Sequence, residues 1–244
     1  MSAFKKILYK ELFNPGPLGL LINPFFIARR ALYRHIRELA PQLGGNLVDV
    51  GCGSKPYRKL IQCSRYTGLD TSVSGHDHSN EDIDVLYDGK HFPFENKTFD
   101  SVLCNQVLEH VFHPHLFLSE INRVCKPGAK CLFTVPFVWD EHEQPYDYAR
   151  YSSFGLKALF EEHGFKVVEQ RKSVRNFGVI FQLVNGYLYK KTVKIRPLRI
   201  LLTLLVMFPF NILGILIGLI LPNNNDLYLD NVVLIEKEKD LPTT

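Results

Sequence analysis

Between residues 46 and 173 of this 244-residue chain, short apolar runs alternate with stretches of helical character. Leu47, Val48 and Val50 form the first run, and Tyr66–Leu69, Phe99–Cys104, Lys130–Val135 and the stretch opening at Phe165 repeat it. Each has the length and composition of a buried strand. Residues 105–124 predict a helix stopped by Lys126-Pro127-Gly128, and residues 153–163 predict another, capped by Ser152 or Ser153 and ended by Gly164. Strands alternating with helices predict a doubly wound, parallel α/β sheet. Residues 1–45 read as N-terminal helices interrupted at Asn14-Pro15-Gly16-Pro17, with Gly44-Gly45 marking entry to the sheet.

The first strand ends in Asp49-Val50-Gly51-Cys52-Gly53, an acid followed by a Gly-x-Gly turn, and Lys55–Leu60 is expected to start a helix. Glycines there let the backbone turn tightly and approach a ligand, which would lie over exposed N–H groups. The second run ends in Asp70, 17 residues after Gly53, near the offset at which an acid meets ribose hydroxyls in such folds. A nicotinamide-dependent oxidoreductase would share these features. It needs Gly-x-Gly-x-x-Gly, and Tyr57 and Arg58 follow where the last glycine could stand.

Farther on come Asp84–Gly89, Phe92-Pro93-Phe94, Phe99-Asp100-Ser101-Val102 and Val107-Leu108-Glu109-His110. With the Asp49–Gly53 turn, these resemble the class I S-adenosylmethionine-dependent methyltransferases of the type 11-like group, over residues 46 to 173. The resemblance implies a seven-stranded Rossmann-like sheet and S-adenosylmethionine as cofactor. It implies that Asp49, Gly51 and Gly53 surround the methionine part, that Asp70 holds the ribose, and that Asp88 with the Gly89 backbone faces the adenine. Asn105 and Gln106 then close the pocket beside the sulfonium. One position departs: the family's third loop glycine is Lys55 here, followed by Pro56. A lysine near the methionine carboxylate is electrostatically reasonable. Its departure from the pattern also gives footing to a different reading, a non-catalytic scaffold that keeps the fold and binds a partner.

Ile200–Leu221 carries no charge over 22 residues, enough for a membrane span. The run Leu227–Glu236 after it reads as the last, antiparallel strand of the same sheet, and two strands of one sheet lie on one side of a bilayer. A single crossing therefore conflicts with the fold. Pro209 divides the segment, so residues 197–222 are expected to form a membrane-contacting helical hairpin inserted in a 46–244 methyltransferase domain. Residues 170–225 hold eight Lys and Arg and no acid, which leaves the remainder with 21 basic against 25 acidic residues. Cations beside an apolar segment favour an anionic membrane surface. Phe25–Leu39, with Arg29, Arg30, Arg34 and Arg37, is amphipathic and suits either that surface or the helix over the cofactor. Five scattered cysteines without a Cys-x-x-Cys pair, and no secretory signal, point to a protein of the cytoplasm, peripheral or monotopic at the inner face of the cell membrane.

Methyl transfer from a sulfonium is an in-line displacement in which positioning does most of the work. The residues around the acceptor are expected on the loop after Val135, which carries His142, Asp147, Tyr148 and Arg150. His142 is the candidate base. Asp147, Tyr148 and Arg150 form the candidate substrate loop, in a His-x-x-Pro-x-Asp-Tyr-x-Arg pattern that resembles methyltransferases of bacterial cell-surface polysaccharide pathways. Glu109 and His110 are expected to brace their helix and the neighbouring loop. The spacing of His110, His113 and His115, and of His76 and His78, matches no usual ligand set, so no metal site is expected. Nor is a nucleic-acid partner, because the cations precede apolar sequence and do not alternate with stacking aromatics. The expected reaction is O-methylation of a small or lipid-linked acceptor, of glycan or isoprenoid type.

Overall fold

The computed structural model describes residues 3–71 and 82–241. Seven strands form one sheet: β1 (Asn46–Val50), β2 (Arg65–Thr71), β3 (Val85–Tyr87), β4 (Phe99–Asn105), β5 (Cys125–Pro136), β6 (Phe165–Lys172) and β7 (Asp230–Lys237). Their order is β3-β2-β1-β4-β5-β7-β6. The β1/β2, β1/β4, β2/β3 and β4/β5 pairs are parallel. Leu47, Val48 and Val50 are wholly buried, as expected of a parallel strand covered on both faces. At the last strand the direction reverses. Ser173 N–H donates to the Asp230 carbonyl at the start of β7, and Glu238 N–H donates to the Gly164 carbonyl at its end, so β7 runs antiparallel to β6.

Helix boundaries follow local chemistry. Ser152 accepts from the Gly155 N–H and opens the helix Ser153–Glu162, and Gly164 at φ 77° ends it, as expected. The helix expected over residues 105–124 is shorter, Pro114–Val124. Gln106 takes a left-handed φ of 55°, which no helix accepts, and only one 3₁₀ turn, Leu108–His110, precedes Pro114. The helix expected at Lys55–Leu60 is a single 3₁₀ turn, Arg58–Leu60: Lys55 is left-handed at φ 51° and precedes a proline, which disfavours the α region.

The division at residue 45 does not hold. The chain forms two compact units: one comprises residues to His35, Val138–Asp140 and Lys172–Asp230, and the other Ile36–Phe137, Glu141–Arg171 and the remainder from Asn231. The N-terminal helices join the 172–230 segment because their backbone is hydrogen-bonded to it. Gln182 accepts from the Ala28 N–H at 3.0 Å and donates to the Pro24 carbonyl at 3.1 Å, and Asn211 donates to the Leu20 and Asn23 carbonyls.

The 197–222 segment is not a hairpin broken at Pro209. Arg196–Ile220 is one 25-residue helix, with a π-helical turn at Thr203–Met207 directly before the phenylalanine and proline that open its last section. The wider turn lets the chain pass a residue that lacks an N–H without losing its axis. A hairpin does exist, and its other arm is the helix Gly178–Thr192, which packs against Phe208–Ile220. Gly214 permits that packing: a Cβ there would lie 3.0 Å from the Phe181 Cβ and 2.7 Å from the Ile27 Cδ1.

In the sheet-bearing unit, Lys237 is buried and ties the end of β7 to the start of β5, donating to the Asn122 and Cys125 carbonyls at 2.8 and 3.0 Å and pairing with Asp240. Replacing it by methionine leaves two carbonyls without their donor. Lys237→Met is expected to lower stability by on the order of 3 kcal/mol, read as a fall in the urea midpoint with unchanged slope.

Candidate active site

β1 lies between β2 and β4, so the chain leaves it on one side and returns on the other. The resulting crevice at the strands' carboxyl ends is where doubly wound sheets bind ligands. The loop after β1 opens with Gly51 at φ 68°, whose N–H donates to the Leu69 carbonyl at 2.8 Å; a Cβ there would come within 2.3 Å of Val107. Gly53, at φ 46°, donates its N–H to the Asp70 carboxylate at 2.8 Å, and Asp70 also accepts from the Thr71 N–H. Asp70 thus stands, buried, at the end of β2 and fixes the loop it faces.

Asp49 is 3% exposed at the end of β1 and accepts from the Tyr66 hydroxyl. Burial pushes its pKa up to about 7, against the pull of the Tyr66 hydrogen bond. Lys55 takes the family's third glycine position with the left-handed backbone that position demands. Its ammonium is engaged by acids of this chain. It pairs with Asp84 at 2.9 Å and Asp82 at 3.5 Å, crossing Gly68, where a Cβ would lie 2.4 Å from the Lys55 Cε. Asp84 in turn accepts from the Gly68 N–H. Lysine keeps the loop closed through ion pairs where a glycine would merely turn.

Beyond β3, Asp88 accepts from the Lys90 and His91 N–H groups, both at 2.8 Å, which hold its carboxyl below the usual range. Gly89 follows at φ 80°, where an added Cβ would meet only the Thr71 hydroxyl, at 3.9 Å. At the end of β4, Asn105 accepts from the Thr134 hydroxyl at 2.8 Å, and the Gln106 N–H donates to the Thr134 carbonyl at 2.9 Å. Thr134, Tyr66 and Asp84 were not identified in the sequence. They act through the predicted residues, and no motif marks a hydroxyl on a neighbouring strand.

The loop after β5 brings His142, Asp147 and Arg150 together but not Tyr148. Asp147 accepts from the His142 N–H at 2.9 Å and forms two bonds with Arg150, at 2.6 and 2.7 Å. Burial opposes its ionisation, yet Arg150 and the His142 N–H outweigh that and hold its carboxyl at about 2. Arg150 is therefore committed to Asp147. Tyr148 is exposed and its ring packs on Phe112, with centroids 5.1 Å apart. Glu109 braces this loop, its carbonyl accepting from the Tyr148 and Ala149 N–H groups. His110 meets Glu109 and His142, not His113 or His115; His76 and His78 lie outside the described residues. All five cysteines are free, and burial pushes the thiols of Cys52, Cys104 and Cys131 up, so they stay neutral.

A doubly wound sheet with an antiparallel last strand, a left-handed glycine turn after β1 and an acid at the end of β2 is the arrangement of the class I S-adenosylmethionine-dependent methyltransferases. The profile of a family described as a methyltransferase domain matches residues 26–170, more than half of the chain, and the chain belongs to that family. It is similar to the demethylmenaquinone methyltransferase of Staphylococcus haemolyticus, 25% identical over 207 residues that cover 66% of this chain and 84% of the relative. It is also similar to a fatty-acid O-methyltransferase of Mycolicibacterium smegmatis, 30% identical over 42% of this chain and 41% of that enzyme. Among solved structures, phosphoethanolamine N-methyltransferase 2 of Haemonchus contortus, in complex with S-adenosyl-L-methionine, shares the fold with a TM-score of 0.53 at 16% identity, covering 98% of this chain and 61% of that one.

The protein is thus a methyltransferase that uses S-adenosylmethionine, which sets aside the oxidoreductase and the scaffold. The residues present fit that cofactor: glycine backbone at φ above zero lines the turn, Asp70 closes it, and Asp49 is a buried acid short of a cation, which the cofactor's ammonium supplies. When bound, the cofactor provides a methyl group already activated on sulfur.

Two outcomes follow. Because Asp49 is ionised only above about pH 7, cofactor affinity is expected to fall as pH drops, by about tenfold between about pH 8 and about pH 6. In Asp49→Asn the affinity is expected to be weaker and flat with pH; calorimetric titration at several pH values checks both. Asp70→Ala removes the acceptor of the Gly53 N–H and is expected to weaken cofactor binding by about tenfold or more, on the order of 1.4 kcal/mol, by the same measurement.

Proposed function

We propose that this methyltransferase transfers the methyl group to an oxygen of a small or lipid-linked acceptor, of glycan or isoprenoid type, while docked on the cytoplasmic face of a membrane. One observation carries the reading. The helix Arg196–Ile220 has the hydropathy of a membrane segment, yet only 17% of its most apolar stretch is buried within the protein. A core helix of that composition would be covered. Here Leu205 is 65% exposed, Leu219 78% and Ile220 79%. Ile180, Val184 and Tyr187 continue the uncovered apolar surface along the other arm at helical spacing.

The hairpin begins after β6 and ends before β7, two neighbours in one sheet, so it must return to the side it left. Its turn, between Thr192 and Arg196, is flanked by Lys190, Lys191, Lys194, Arg196 and Arg199. Entering a bilayer turn first would take five cations through hydrocarbon, at about 2.5 kcal/mol or more each. Lying flat puts the apolar face in the acyl boundary and the cations at the headgroups, where each contributes about 1 kcal/mol against anionic lipid. In the same unit a cleft of about 480 Å³ is walled by Trp139, Leu183 and Tyr187, with Lys191 and the Lys190–Asp140 ion pair, 2.9 Å long, beside them. Apolar walls with Lys191 adjoining suit a lipid that carries an anionic group. Relatives named for demethylmenaquinone and for a fatty acid add support for an apolar acceptor.

Catalysis on this reading rests on placement. The loop after β5 is pinned by Asp147 and Glu109, so an acceptor bound there meets a fixed frame, and the oxygen-to-methyl alignment is set before reaction.

Purified protein is expected to float with liposomes containing anionic lipid, and a Leu205→Glu/Leu216→Glu variant, altered only at exposed positions, is expected to stay in the soluble fraction with cofactor binding intact. Wild-type protein that remains monomeric and unbound to liposomes would overturn the membrane reading.

A further inference from the structure

We propose that His115, Glu162 and His163 form a binding site for a divalent transition-metal ion of the zinc class. Each offers one ligand atom, and the three atoms lie within 4.8 Å of one another. His115 stands in the first turn of the helix Pro114–Val124, while Glu162 ends the helix Ser153–Glu162 and His163 caps it. The spacing of His110, His113 and His115 matches no ligand set because the partners of His115 come from another helix. His163 is buried and its tautomer is fixed. Its Nδ1 is 2.7 Å from the Leu159 carbonyl oxygen, which can only accept, so the proton sits on Nδ1 and Nε2 keeps its lone pair. A carbonyl behind a histidine is the usual outer support of a metal ligand, because it orients the ring and raises the basicity of the other nitrogen. The His115 and His163 rings lie with centroids 5.1 Å apart.

The other two groups are not committed elsewhere. Among the described residues neither His115 nitrogen has a hydrogen-bond partner, and the one ion pair of Glu162 is the 3.8 Å approach of its Oε1 to Nδ1 of His115. That separation is too long for a hydrogen bond. Two ligands held about 2.1 Å from a tetrahedral ion lie about 3.4 Å apart, so the gap suits groups that share a cation better than a pair that bonds directly. Both side chains are exposed and close the remaining distance by rotation. A cleft of about 630 Å³, lined in part by Glu162, His163, Lys97 and Arg123, opens beside them and gives the site access to water. The cations of that cleft do not compete for Glu162: Arg123 makes two bonds to Glu120, at 2.7 and 2.8 Å, and Lys97 pairs with Asp240 at 2.8 Å. Two imidazoles and one carboxylate select a borderline cation such as zinc or cobalt over magnesium or calcium.

An ion held there joins the start of one helix to the end of the other. Phe117, Leu118 and Ile121 of the first and Leu156, Leu159 and Phe160 of the second belong to one buried core, so the clip fastens two elements that already pack together. The unfolded chain leaves His115 far from its partners, and an ion that binds only the folded form stabilises it by mass action. The site rests neither on the nature of the methyl acceptor nor on membrane docking.

The test uses full-length protein stripped with a chelator, titrated with Zn²⁺ by calorimetry and with Co²⁺ by visible absorption, and melted with and without Zn²⁺. The expected result is one equivalent bound, cobalt bands of an imidazole-ligated ion, and a melting temperature that rises with added zinc. Affinity is expected to fall about tenfold or more in His115→Ala and in Glu162→Gln, with the rise in melting temperature lost. Both positions are exposed, so the variants keep the fold, which a cooperative melting transition checks; His163 is buried and is left unaltered. His113→Ala, exposed and two residues from His115, is the control and is expected to bind as the wild type does. Absence of stoichiometric uptake by folded wild-type protein would overturn the proposal. So would uptake that survives both His115→Ala and Glu162→Gln, or that His113→Ala weakens as much as they do.

Discussion

The hydrogen bond from the Gly53 N–H to the Asp70 carboxylate, 2.8 Å long, ties the turn after β1 to the end of β2, and the cofactor crevice depends on it. Together with the bond from the Gly51 N–H to the Leu69 carbonyl it gives the glycine turn a fixed wall. Gly51, Gly53 and Lys55 all have φ above zero, and of the three only the glycines adopt that backbone without steric cost. Lys55 is tolerated because its ammonium pairs with Asp84 and Asp82 and its stem fits against Gly68. The departure from the family's glycine is therefore compensated locally, and the turn keeps its shape.

Electrostatics divides the acids of the site by environment. Asp147, with two bonds from Arg150, stays ionised far below neutrality, whereas Asp49, buried against a single hydroxyl, reaches about 7. One acid is a structural post and the other waits for a cation. Side-chain type alone does not separate them; the number of donors each receives does.

The helical unit solves a different problem. Its buried polar groups are spent on one another: Asn185 donates to the Met207 carbonyl and to Asn211, and Asn211 donates to the Leu20 and Asn23 carbonyls. These bonds specify how the 178–192 and 196–220 helices meet, since apolar surface alone is tolerant of sliding. The apolar residues not needed for that packing are left outward, which gives the unit its uncovered face.

Sheet architecture, the loop glycines, Asp49, Asp70 and the antiparallel last strand were legible in the sequence, because period, turn chemistry and strand-end acids are local signals. The cap at Ser152 and the stop at Gly164 were legible for the same reason. The hairpin's true arms, the left-handed Gln106 that shortens the helix before Val124, and the joining of residues 1–35 to 172–230 were not, because each is settled by contacts between distant segments. So is the meeting of Glu109 and His110 with His142. Spacing along the chain governs what one helix or strand can present, while the geometry of a site is made where two loops converge, and only the folded sheet brings the ends of β4 and β5 side by side.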